Sequence, residues 1–158
     1  MAQLELTLTR QGKAQLSEKA LDAVADSLFS RSQENLVDFD KVDTGFLIRS
    51  GNVERSPGKR TIVYAAPYAS DVEFGTMPHT APFGPILAWV RRKLGIRNKN
   101  QAFAIATSVV QKIEREGTAP SQFMRKAIDL VRNRPDQEIG PFMRNAGPTS
   151  WKQLKLRR

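Results

Sequence analysis

Within its first 36 residues the chain changes hydrophobic period, and that change restricts what it can fold into. Leu4, Leu6 and Leu8 alternate with Glu5, Thr7 and Thr9, the two-residue period of a half-exposed strand. Gly12 breaks the alternation. From about Lys13 the apolar positions become Leu16, Ala20, Leu21, Val24 and Leu28, running to about Leu36, which is helical spacing. A helix of roughly 24 residues spans about 36 Å, as long as a small domain is wide. A strand followed by so long a helix predicts the α+β class: a small antiparallel sheet packed by a long N-terminal helix.

The next segments supply the rest of the sheet. Asp43-Thr-Gly45 is a turn signal. Phe46 to Arg55 reads as a strand interrupted by Gly51-Asn52, with Phe46 and Ile48 on one face and Leu47 and Arg49 on the other. Ser56-Pro-Gly58 is a strong turn. Thr61-Ile-Val-Tyr-Ala-Ala66, apolar and partly β-branched, should therefore return antiparallel to it. Pro67 cannot donate to a ladder and ends the strand. Tyr68, Val72 and Phe74 give the apolar surface of a short turn, and Gly75 is expected to take a backbone angle that other residues resist.

Helices follow. Pro78, Pro82 and Pro85 make residues 77–85 a rigid loop. Ile86, Leu87, Val90 and Leu94 then space a short helix, ended by Gly95, with Arg91-Arg92-Lys93 behind it. Asn98 is placed to cap a second helix with a seam of Ala102, Phe103, Ala106, Val109, Val110 and Ile113. Gly117 closes that helix. Thr118 or Ser121 is positioned to cap a third, with Phe123, Met124, Ala127, Ile128 and Val131 inward and Pro135 at its end. One α+β domain is expected over residues 1–133. Residues 134–158, with Gly140-Pro141, Gly147-Pro148 and a basic end, read as an extended C-terminal arm that docks through Phe142, Met143 and Trp151.

Composition excludes several classes. No run of about 18 apolar residues predicts a membrane span, and the start Met-Ala-Gln-Leu-Glu-Leu lacks the order of a signal peptide. Zero cysteines remove disulfides and thiolate metal sites. His79, the one histidine, lies in the proline loop with Asp71 and Glu73 nearby in sequence. With no helix or strand to make them converge, they read as loop residues, so no catalytic, metal or cofactor site is expected. The net charge of +9 is polarised: residues 1–40 carry 4 Lys+Arg against 7 Asp+Glu, and residues 91–158 carry 16 against 5. The basic end suits either an acidic surface of another subunit or a phosphate backbone.

Three stretches carry a resemblance. Val42-Asp-Thr-Gly-x-Leu47, then Tyr68-Ala-x-x-Val-Glu-Phe-Gly-Thr76, then Gly117-Thr-Ala-Pro-Ser-Gln-Phe-Met-Arg-Lys-Ala127 together resemble, in order, the head–tail joining or tail-completion (neck) family of tailed bacteriophages. Pro141-Phe-Met-Arg-Asn-Ala146 echoes the last of them. The resemblance implies a virion structural protein without enzymatic activity, assembled in the host bacterial cytoplasm. It would form a hexameric or dodecameric ring that completes the tail and joins it to the head connector. Its partners would be portal or adaptor proteins, tail tube or terminator proteins, and packaged DNA in the channel. On this reading Asp71, Glu73, Phe74, Gly75, Thr76, His79 and Phe83 lie at a subunit or neck interface, with Phe142, Met143 and Trp151 docking from the arm. Arg49, Arg91, Arg92 and Lys93 would be solvated, or would face the DNA channel or a partner. The alternatives are a tail terminator and a basic nucleic-acid-binding protein.

Overall fold

The computed structural model describes residues 4–9, 18–133 and 155–157. The fold is α+β, with ten elements among the described residues: β1 (Leu4–Thr9), α1 (Glu18–Asp38), α2 (Phe46–Arg49), β2 (Gly51–Ser56), β3 (Lys59–Tyr64), α3 (Ala69–Phe74), α4 (Phe83–Lys93), α5 (Lys99–Glu116), α6 (Phe123–Asn133) and β4 (Lys155–Arg157). The segment expected as one domain over 1–133 divides into two compact units. The first combines residues 1–73 with 122–158, and the second is Phe74–Ser121, inserted between them in the chain.

In the first unit the sheet order is β2-β3-β1-β4, antiparallel throughout. The hairpin predicted around Ser56-Pro-Gly58 is present. Ser56 pairs with Lys59, leaving Pro57 and Gly58 as the turn, and Gly58 has φ 68, as the second turn residue of type II requires. At the opposite edge Leu156 pairs with Leu6, so the end of the segment expected as an arm adds a fourth strand to the sheet. Phe142, Met143 and Trp151 lie outside the described residues.

The expected strand at Phe46–Arg49 is instead a helical turn. Gly45 sits at φ 74 as its N-cap, Arg49 N–H donates to Gly45 O, and Ser50 N–H donates to Phe46 O. The alternation of Phe46, Leu47, Ile48 and Arg49 is too short to set a period, and the left-handed glycine before it turns the backbone into a helix. Likewise the turn expected at 68–74 contains α3, six residues long.

The core forms where α1 lies over β2 and β3 and against α6. Leu21, Val24, Ala25, Leu28 and Leu36 of α1 are buried with Ile62, Phe123, Met124, Ala127 and Val131. Tyr64 is at their centre, fully buried. Its ring meets Phe123 edge-on at 5.2 Å and Phe29 at 6.1 Å. Ser32 Oγ donates to Phe29 O at 2.7 Å, so it accepts from the Tyr64 hydroxyl, also at 2.7 Å. Burial pushes the Tyr64 hydroxyl up to about 12, because a phenolate would lose its hydration there.

A second tie fixes the start of α1. The Arg60 guanidinium is 5% exposed and fully used: it donates to both Asp22 oxygens, to Glu18 Oε2, and to the carbonyls of Ser56 and Lys59. That saturation is what lets a permanently charged group sit inside. The hydrogen bond from Arg60 holds the Asp22 carboxyl below its ordinary value.

Two substitutions test this core. Tyr64→Phe removes one buried hydrogen bond and should cost about 1 kcal/mol. Phe123→Ala removes the ring joining α6 to Tyr64 and should cost about 3–5 kcal/mol. Urea midpoints at constant slope measure both, and equal losses would place the hydroxyl, not the rings, at the centre of the packing.

Candidate functional site

Two of the three stretches that carry the resemblance meet through their backbones. Glu73 ends near the C-terminus of α3 with a fully buried side chain. Its Oε2 accepts the Met124 N–H at 2.8 Å and its Oε1 accepts the Arg125 N–H at 3.0 Å. The first turn of a helix has N–H groups with no partner of their own, and a carboxylate there also meets the positive end of the helix dipole. The Met124 contact comes from a residue 51 positions earlier in the chain. Gln122, just before α6, is held at φ 57 while its N–H donates to Glu73 O at 3.0 Å. Such a backbone costs about 1 kcal/mol or more for a non-glycine residue, and the double engagement of Glu73 holds it there.

Within the second unit, Gly75-Thr76 and Gly117-Thr118 lie side by side as an antiparallel bridge. Thr76 N–H donates to Thr118 O at 3.1 Å, Thr118 N–H donates to Thr76 O at 3.2 Å, and the two hydroxyls are 3.0 Å apart. Gly75 has φ 71, as its place in the sequence suggested. Gly117 has φ 72 and ψ −157, a region essentially restricted to glycine. A Cβ on Gly75 would strike the Thr118 carbonyl oxygen, and one on Gly117 would strike that of Thr76. Each glycine is required twice, for its angle and for the closeness of the opposite strand.

Glu73 and Gly75, expected at an interface, are buried and engaged by internal contacts. Phe74, Thr76 and Phe83 are half-buried, whereas Asp71 and His79 are exposed. His79 Nδ1 lies 3.0 Å from Met77 O; a carbonyl only accepts, so the proton is on Nδ1. Among the described residues no group of three or more His, Asp or Glu side chains is arranged to hold a metal. Arg49, expected on a strand, is exposed in the last turn of α2. Arg91 and Arg92 are exposed and Lys93 half-buried at the end of α4.

Surface aromatics were missed. Phe46 is 47% and Tyr68 41% exposed, with ring centroids 6.3 Å apart. Their pairing joins the first stretch of the resemblance to the second on the surface of the first unit. In the second unit Phe103, expected in the α5 seam, is 58% exposed. The small Ala102 and Ala106 bring α5 onto Val90 of α4, with Ile86, Leu87, Trp89, Ile96 and Ile105 around them. Phe103 lies to one side of that row and packs on Phe83 at 4.9 Å. No family model, curated protein or solved structure matches this chain.

Gly75→Ala and Gly117→Ala should each lower stability by more than about 1 kcal/mol. Gly84→Ala, where a Cβ meets nothing within 4 Å, should leave the denaturation midpoint unchanged or raise it. Three equal midpoints would contradict the bridge geometry.

Glu73 makes a pH prediction. Burial pushes its carboxyl above the ordinary value of 4.5, and the amide donors of Met124 and Arg125 only partly offset this. The native state then binds that proton more tightly than the unfolded chain does. Stability contributed by this group is complete below pH 4.5 and falls as pH rises through the raised native value. Glu73→Gln should abolish this slope and cost about 1–3 kcal/mol at low pH by mispairing one amide. Melting curves of both proteins across pH 4–7 measure it, and parallel profiles would refute the assignment.

Proposed function

We propose that the chain is a structural protein of a phage neck, forming a ring that completes the tail and joins it to the head connector. The exposed Phe46–Tyr68 pair is the observation that carries this reading. Large aromatic side chains supply most contact energy at protein interfaces, and this pair unites two of the stretches on which the resemblance rests. The same stretches owe their glycines and Glu73 to backbone geometry. That suits a family defined by a shared shape and assembly rather than by shared chemistry. Asp71, exposed on α3, and His79 with Phe83 in the second unit are the further contacts this role would use. A tail terminator would present a surface of the same kind.

The test uses phage particles built with altered copies of the chain. Phe46→Ser with Tyr68→Ser should leave the purified protein's melting midpoint within a few degrees of the parent. Electron micrographs of lysates should then show separate heads and tails. Full yields of joined particles from the folded variant would exclude this surface and the neck role assigned to it.

A further inference from the structure

Among the described residues β2 is an edge strand, since the sheet order is β2-β3-β1-β4. Ser50 O accepts the Ala65 N–H at 3.1 Å, and in an antiparallel ladder the residues bonded to the neighbouring strand recur at every second position. Asn52, Glu54 and Ser56 therefore bond to β3, and the backbone N–H and C=O groups of Gly51, Val53 and Arg55 turn away from it. A row of that kind is a template for pairing with another chain. One of its acceptors is occupied by a side chain. Arg55 Nη1 donates to Val53 O at 3.2 Å, while Nε donates to Asp22 Oδ1 at 3.1 Å and Nη2 to Asp26 Oδ1 at 2.5 Å. Both carboxylates belong to α1, so the helix holds the guanidinium against the outward carbonyl of the strand. The Arg55 side chain is 49% exposed, and ion pairs so exposed add little to folding.

We propose that Arg55 is a latch that closes this edge, and that without it β2 pairs antiparallel with β2 of a second copy of the chain. The strand is self-complementary about Val53. With a two-fold axis at that residue, the two copies of Val53 exchange N–H···O bonds, which requires the oxygen that Arg55 occupies. The same register sets Glu54 opposite Asn52 and position 55 opposite Gly51, so no like charges face each other across the new pair. The inference does not rest on the neck reading and uses neither Phe46 nor Tyr68.

The parent chain and Arg55→Ser are compared by sedimentation velocity from about 10 to 200 μM, a range over which mass action reveals association. Asp22 keeps its bonds to Arg60 and Asp26 is 54% exposed, so the variant should keep the parent's circular dichroism and melting midpoint. It should shift with concentration toward a species of about twice the parent's mass, and hydrogen exchange at the Val53 amide should slow over the same range. Arg55→Pro removes the same latch together with an outward N–H, at no cost in ladder bonds to β3, and should sediment as the parent does. The proposal is overturned if Arg55→Ser sediments as the parent at every concentration, or if its association leaves exchange at Val53 unchanged. Association of Arg55→Pro equal to that of Arg55→Ser would overturn it as well, because another surface would then be responsible.

Discussion

The first unit depends on a buried carboxylate. Glu73 caps α6 from the end of α3, and α6 provides Phe123 and Met124 to the core under α1. The chain between them leaves to build a second unit and returns, so α6 is capped across a long stretch of sequence. Asn35 reinforces the same joint by donating to Phe123 O at 2.8 Å. A helix secured this way cannot form alone, because its cap exists only when α3 is in place. Cooperativity between distant parts of the sequence follows from two N–H···O bonds.

Arg60 is the charged counterpart at the other end of α1. One buried cation is matched by Glu18 and Asp22 and by two carbonyls, so its donors are all occupied. Among its described residues the first unit thus buries a guanidinium and a carboxyl group, each with its hydrogen bonds made inside the unit. The second unit has no such centre among its described residues: small alanines and aliphatic side chains hold α4 to α5, and its charge lies on the surface.

Periodic segments were legible in the sequence and aperiodic ones were not. The alternation of Leu4, Leu6 and Leu8 and the spacing through Leu36 led directly to β1 and α1, and Pro57-Gly58 to the hairpin. Asn98 and Gly95 marked helix ends because capping chemistry is local. Phe46–Arg49 failed because four residues fit either period, and the decisive fact, the left-handed angle at Gly45, belongs to the turn before them. Phe103 failed because helical spacing cannot tell the centre of a buried stripe from its shoulder. Of the candidate site, Gly75 was readable as a special backbone position. Glu73 was not, since a carboxylate between two apolar residues resembles a surface group until its partners 51 and 52 positions away are known.

The paired Gly-Thr dipeptides bear on the order in which the molecule is built. Closing a loop of about 48 residues costs about 3 kcal/mol in its length-dependent entropy, and Glu73 must meet α6 across such a gap. The Thr76–Thr118 bridge draws the two ends of that gap together within the inserted unit itself. Once α4 and α5 have paired, a contact mostly between sequence neighbours and therefore fast, the remaining search is over a few residues on either side. By joining Thr76 to Thr118, the insertion shortens the chain separation across which Glu73 must find α6.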